Sequence, residues 1–200
     1  MPEKNIFFGN HLSAEPAGKG FPFGLFQDKI KIMLQHPDIV LDWHKVNMRL
    51  EPLRAQGKRI VLTNGCYDIL HPGHVDLLAR ARAEGNVLVL ALNSDDSVRR
   101  LGKGTDRPLN TFAVRAFVAV HLASVDLVTC FEQDTPLELV GQLKPDVLVK
   151  GGDWPVEAIV GGEIVAGYGG RVLSLPLVEG YSTTDLAERI RAGGKPCLQA

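Results

Sequence analysis

The chain has 200 residues, 45% hydrophobic and 22% charged, with 22 Lys and Arg against 23 Asp and Glu for a net charge of −1. A domain of this size buries its own core without disulfides or a structural metal. Its balanced charge argues against a nucleic-acid partner, which would need a local excess of cations to cover phosphates.

No apolar stretch nears the roughly 20 residues that cross a bilayer, and the start, Met1-Pro-Glu-Lys-Asn5, lacks the apolar run of a secretory signal. The cysteines, Cys66, Cys130 and Cys197, are scattered and without ligand spacing. The expected setting is the reducing cytoplasm, with no membrane partner. The 21 glycines exceed the usual ~7% and need a place in the fold.

Residues 1–25 hold glycines and prolines among isolated aromatics and show no sustained period, which predicts an irregular arm. Helices are predicted over Phe26 to Gln35 and Leu41 to Gln56, separated by His36-Pro37, and Gly57 closes the second. Residues 1–57 thus read as an N-terminal arm and helical extension.

From Lys58 the chain alternates short apolar runs with helical segments. The predicted strands are Arg59 to Thr63, Val87 to Leu92, Leu127 to Phe131, Val147 to Val149 and Arg171 to Leu175. Helices are predicted at about 73–84, 94–101, 111–122, 135–142, 155–167 and 182–192. Short strands apolar on both faces, each followed by a helix, indicate an α/β fold: a Rossmann-like, doubly wound, five-stranded parallel sheet with helices on both faces. Residues 58–192 form this domain, and residues 193–200 are expected to be a flexible tail. Ligands of such sheets bind beyond the carboxyl ends of the strands.

There the first strand runs into Thr63-Asn-Gly-Cys-Tyr-Asp-Ile-Leu-His-Pro-Gly-His74. Pro72 suits the first turn of a helix, which puts His71 at the cap and His74 one turn inside on the same edge. Two imidazoles beside free helical N–H groups suit oxygens that gain charge during phosphoryl or nucleotidyl transfer. His-x-x-His spacing lacks a third protein ligand, so no protein metal site is expected. A dinucleotide-dependent oxidoreductase would need a GxGxxG turn here. A nucleotide-binding regulator without turnover would be expected to have lost one of these residues.

The segment resembles the HxGH signature of the nucleotidyltransferase superfamily, in its cytidylyltransferase-like branch. Glu179-Gly-Tyr-Ser-Thr-Thr-Asp-Leu186 resembles the second signature of that superfamily, a Ser/Thr-rich turn opening the last helix. Ala91 to Leu101, Arg107-Pro-Leu-Asn110, Asp134 to Glu138 and Lys144 to Asp153 together resemble the D-glycero-D-manno-heptose 1-phosphate adenylyltransferase family, over about residues 45–192.

In that family the domain is often fused behind a sugar kinase, and with only residues 1–57 ahead of it this chain resembles the stand-alone form. The resemblance implies transfer of AMP from ATP to a heptose 1-phosphate for lipopolysaccharide or surface-glycan precursors, with Mg²⁺ held mainly by the ATP phosphates. It allows a homodimer.

Residue roles follow from the resemblance and from position and charge at the carboxyl edge of the sheet. His71 and His74 act in catalysis with Lys103 of the basic Gly102 to Pro108 linker. Thr63, Asn64, Gly65, Cys66 and Tyr67 line the phosphate path, with Cys66 a small residue giving its backbone N–H. Asn93, Lys150, Gly152, Asp153, Ser182, Thr183 and Thr184 complete the nucleotide site. Asp68, Arg107 and Arg115 are expected to bind the sugar phosphate.

One alternative stays open, a cytidylyltransferase acting on glycerol 3-phosphate or a similar phosphorylated polyol. The Arg that such relatives carry before the Ser/Thr signature is absent from Pro176 to Gly180, although Gly152-Asp-Trp154 is close to their pattern. The anomer of the sugar stays open too.

Overall fold

The computed structural model describes residues 23–102, 107–152 and 154–193. Most of the expected arm and tail therefore lies outside the described residues. Five strands make one sheet: β1 (Ile60–Gly65), β2 (Val87–Asn93), β3 (Leu127–Phe131), β4 (Val147–Gly151) and β5 (Arg171–Leu175), in the order β3-β2-β1-β4-β5. Each pairing is parallel, with Leu62 beside Val89 on one side and Leu148 on the other. The sheet is the expected doubly wound one.

The helices are α1 (Phe23–Leu34), α2 (Trp43–Ala55), α3 (Pro72–Ala83), α4 (Asp95–Arg100), α5 (Phe112–Val120), α6 (Leu137–Leu143), α7 (Gly162–Gly167) and α8 (Thr183–Arg191). Alternation along each strand feeds two cores. Val61, Leu90 and Val149 pack with Leu78 of α3 and Ala116 of α5. Leu62, Val89 and Leu148 pack on the other face with Leu139 and Leu143 of α6. All seven residues of β2 are buried, as a strand covered on both faces requires. The edge strand β5 is the exception, since no residue of it is fully buried.

Two expectations change. The helix expected over 155–167 is a short 3₁₀ turn, Val156–Ala158, followed by α7. Gly161 breaks it with a φ of 87°, where a Cβ would sit 2.9 Å from Val140 and L side chains are strained.

The other change concerns the boundary at residue 57. Val46 and Leu50 of α2 are fully buried in the second core. The segment just before α2 extends the sheet past β3: Val40 N–H donates to the Val128 carbonyl at 2.9 Å, and Val128 N–H to the Asp38 carbonyl at 2.8 Å. The Trp43 indole N–H donates to the Cys130 carbonyl at 2.7 Å. From Asp38 onward the helical extension is part of the domain's core and covers an otherwise open sheet edge.

Leu50→Ala is therefore expected to cost about 2–5 kcal/mol, against under about 0.5 kcal/mol for Met48→Ala on the exposed face of the same helix. Urea denaturation of the full chain checks this, and equal midpoints for the two variants would show that α2 is not part of the cooperative unit.

Candidate active site

The winding reverses between β1 and β4, and a cleft of about 410 Å³ opens at the carboxyl ends of those strands. His71 is the N-cap residue of α3, and its carbonyl accepts the His74 amide at 2.9 Å. The two imidazoles stack with ring centroids 3.8 Å apart and planes 22° from parallel. The Tyr67 ring lies against His74 at 4.7 Å.

Burial pushes His74 down to about 4, the neighbouring His71 adds to the shift, and the Ile69 carbonyl partly opposes it. Burial also lowers His71. Both rings are thus neutral near pH 7, and Nδ1 of each is buried without a hydrogen-bond partner. A neutral ring still has an N–H to donate, and an arriving polyanion favours its protonated form.

Asp68 is 6% exposed. Its oxygens accept from the Arg107 guanidinium at 2.8 Å, Leu109 N–H at 2.9 Å and Asn110 N–H at 2.8 Å. Burial alone would raise this carboxyl, but the Asn110 and Leu109 N–H groups and then Arg107 overcome it and hold it below the usual range. Arg107 also donates to the Thr183 carbonyl at 3.2 Å. One guanidinium therefore links the turn after β1 to the start of α8.

At that start Ser182 is the N-cap, its hydroxyl accepting the Asp185 N–H at 2.9 Å, and the Thr183 hydroxyl donates to the Ile69 carbonyl at 3.4 Å. The hydroxyl of Ser182 is thus engaged in capping, while the residues 182–184 line the cleft. The N-termini of α3 and α8 both open on it, a favourable surround for phosphate.

Of the expected residues, the fold also brings Asn64, Gly65, Cys66, Lys150 and Gly152 to the cleft. Gly152 has a φ of 118°, and a Cβ there would lie 2.7 Å from the Trp154 indole nitrogen. Lys103 and Asp153 lie outside the described residues. Thr63 is fully buried in β1 and lines neither the cleft nor the hollow beside it. Asn93 is nearly buried and lines that second hollow, its amide donating to the Ser97 hydroxyl at 2.9 Å.

Arg115, expected to bind the acceptor phosphate, is enclosed beneath the site. Its guanidinium donates to the carbonyls of Asn110, Cys66 and Asn93 and pairs with Asp95 at 2.7 Å. Its side chain is 0% exposed, so it fastens the floor and offers no face to a ligand. Sequence reasoning missed the apolar walls Leu77, Leu177, Trp154 and Tyr181. For Trp154 and Tyr181 the one signal was adjacency to the Gly-Gly and Ser-Thr-Thr turns, while Leu77 and Leu177 carried none.

A family model described as cytidylyltransferase-like matches residues 62–189, from β1 through α8. The chain belongs to the cytidylyltransferase-like family. It is 49% identical over 158 residues to a protein named bifunctional protein HldE from Magnetococcus marinus, covering 79% of this chain and 32% of that protein. It is 53% identical over 141 residues to a protein of the same name from Syntrophotalea carbinolica, covering 70% and 29%. The chain spans about a third of the length of the curated relatives it matches.

Among solved structures it resembles the lipopolysaccharide core biosynthesis protein from Thermoplasma volcanium, with a TM-score of 0.51 and 25% identity over 63% of this chain and 100% of the other. The class expected from the two signatures, a nucleotidyltransferase, accords with this membership.

Among the described residues no group of three or more His, Cys, Asp and Glu is placed to hold a metal ion, and no helix is long and apolar enough to cross a membrane. The described carboxylate in the cleft, Asp68, is already engaged by Arg107 and two N–H groups. These described residues suit an anion and offer no protein cage for a Mg²⁺ ion.

The depressed pKa of His74 links folding to pH. The unfolded imidazole takes a proton near pH 6.5 and the folded one only near 4. Stability from its burial is thus present above about pH 6.5 and lost as pH falls toward 4. His74→Asn is expected to flatten the fall of the urea midpoint across that window. An unchanged slope would show that His74 is not held neutral in the fold.

Proposed function

We propose that the protein is a cytoplasmic adenylyltransferase that joins AMP from ATP to a heptose 1-phosphate, releasing pyrophosphate and forming an ADP-heptose for lipopolysaccharide or surface-glycan precursors. The observation that carries this reading is the stacked His71–His74 pair beside two helix N-termini at one strand switch point. Relatives near 50% identity named HldE, and a solved relative described as a lipopolysaccharide core biosynthesis protein, support the substrate class.

In this reading residues 58–192 carry the chemistry, a homodimer is the working assembly, and residues 193–200 are a tail. An oxygen of the sugar phosphate attacks the α-phosphorus of ATP. The bond from that phosphorus to the oxygen bridging toward the β-phosphorus breaks, and pyrophosphate leaves with the electron pair. No nucleophilic side chain is needed, because positioning and charge stabilisation supply the catalysis.

His71 and His74 donate to phosphate oxygens as charge builds on the leaving group, and the N–H groups at Ser182 to Thr184 hold the β- and γ-phosphates. Lys150 at the end of β4 and Lys103 in the basic linker add positive charge. Asn64 to Tyr67 supply backbone along the phosphate path, with Gly152 and Asp153 beside the nucleoside and Trp154 and Leu177 as apolar walls for the base. Mg²⁺ carried on the phosphates of ATP would supply further countercharge, and no side chain of the cleft is assigned to hold it. Asp68 and Arg107 keep the two signatures in register.

Pyrophosphate release from a panel of nucleoside triphosphates against several sugar 1-phosphates tests the assignment. ATP with heptose 1-phosphate is expected to turn over best, and preference for CTP or indifference to the heptose would overturn it. His74→Asn is expected to cut turnover by about 10²-fold or more with the KM for ATP within about threefold. Near-normal turnover would remove His74 from the reaction.

A further inference from the structure

A second hollow of about 290 Å³ adjoins the cleft and shares Asn64, Gly65, Cys66, Lys150 and Trp154 with it. Its remaining walls come from elsewhere: Asn93 at the end of β2, Leu101 after α4, Phe131 at the end of β3, Asp134 and Thr135 beyond it, and Ile159 after the 3₁₀ turn.

The two spaces differ in chemistry. The cleft holds the histidine pair, Arg107 and the start of α8. Among the described residues found only in the hollow there is no cation, but there is a carboxylate, an amide, a hydroxyl and an apolar wall. A polyphosphate would find no countercharge on these walls, since Arg100 is already taken up by Asp134. A neutral body rich in hydroxyls fits, since carboxylate and amide groups pair with hydroxyls and Phe131 and Leu101 can cover a C–H face.

The loop that carries these groups is fixed before any ligand arrives. Ser94 N–H donates to the Phe131 carbonyl at 2.9 Å, and the Ser97 hydroxyl donates to the Gln133 carbonyl at 2.7 Å. Arg100 Nε holds Oδ1 of Asp134 at 2.6 Å, which leaves Oδ2 as the acceptor for a ligand hydroxyl. A wall held this way loses little entropy on binding.

We infer that this hollow is the acceptor subsite, receiving the sugar body of a sugar 1-phosphate while its phosphate points back to Lys150 and the turn at Gly65 and Cys66. The inference rests on the adenylyltransferase reading and adds a location for its second substrate. It moves the acceptor away from the residues first expected to hold it, because Arg115 lines neither space and Asp68 and Arg107 line only the cleft. The shared wall is then the place where acceptor phosphate and α-phosphorus meet, with the leaving pyrophosphate on the histidine side.

Two variants test this. Asp134→Asn removes the acceptor charge, and Thr135→Phe fills the hollow from its rim. The Asp134 side chain is 71% exposed and its partner Arg100 49%, so neither change touches the core, and the exposed ion pair contributes little to folding. Urea midpoints check that both variants remain folded.

Pyrophosphate release is measured while D-glycero-D-manno-heptose 1-phosphate, as each anomer, and ATP are titrated separately. The expected result is a KM for the sugar phosphate raised about tenfold or more with the KM for ATP within about twofold. A rise confined to the KM for ATP, or no change in either, overturns the subsite while the wild-type activity stands. A wild-type chain that releases no pyrophosphate with either anomer overturns the adenylyltransferase reading itself, and the subsite falls with it.

Discussion

The buried guanidinium of Arg115 sets the geometry on which the cleft depends. A parallel sheet fixes the direction of its strands but leaves the loops beyond their carboxyl ends to find their own arrangement. Here one side chain on α5 takes the carbonyl of Cys66 after β1, the carbonyl of Asn93 at the end of β2 and the carbonyl of Asn110 before α5. Asp95 at the start of α4 supplies the countercharge. A buried guanidinium is costly unless paired and hydrogen-bonded throughout. That cost is what makes the arrangement specific: a shift of any of these segments would strand a donor or a carbonyl. With this floor fixed, the Asp68 to Arg107 knot above it places the start of α8 against the turn that carries the histidines.

In the proposed reading, the same arrangement lets a nearly neutral protein hold a strongly anionic substrate. Charge is supplied where it is needed, by the N–H groups of α3 and α8, and the imidazoles sit without formal charge until phosphate arrives. A polyanion then meets fixed dipoles already aimed at it, with little reorganisation to perform. The glycine surplus is consistent with this. Gly65, Gly151 and Gly152 line the cleft, where backbone and ligand approach closely.

What the sequence made legible was whatever depends on local pattern. Short apolar runs such as Val87 to Leu92 can bury both faces only in a covered parallel sheet, and His-Pro-Gly-His places two rings on one helical edge by spacing alone. The role of Arg115 was not legible, since its acceptors are mostly backbone carbonyls that any residue provides. That Val46 and Leu50 of the N-terminal extension belong to the domain was not legible, because the core they enter is built from strands far along the chain. The break at Gly161 depends on contact with Val140 across a helix pair, a constraint no local window contains. The walls of the second hollow come from several separate segments, so no motif announces them.

Two adjoining spaces with one shared wall also bear on the kind of reaction the fold can host. A double displacement needs a nucleophile at that wall. The thiol there, Cys66, donates weakly to Asn93 Oδ1 at 3.8 Å and has no histidine as a hydrogen-bond partner, so it lacks the base that activation requires. The other described thiol, Cys130, is pushed up to about 12, chiefly by burial, which keeps it inert. A single displacement asks for something different: both substrates bound at once on either side of a rigid turn, with charge stabilisation on the leaving side. In the proposed reading the stacked histidines of the cleft take that side, and the adjoining hollow holds the sugar. The asymmetry of the two spaces thus matches the asymmetry of the proposed reaction, in which charge would accumulate on pyrophosphate and the sugar would need only to be held still.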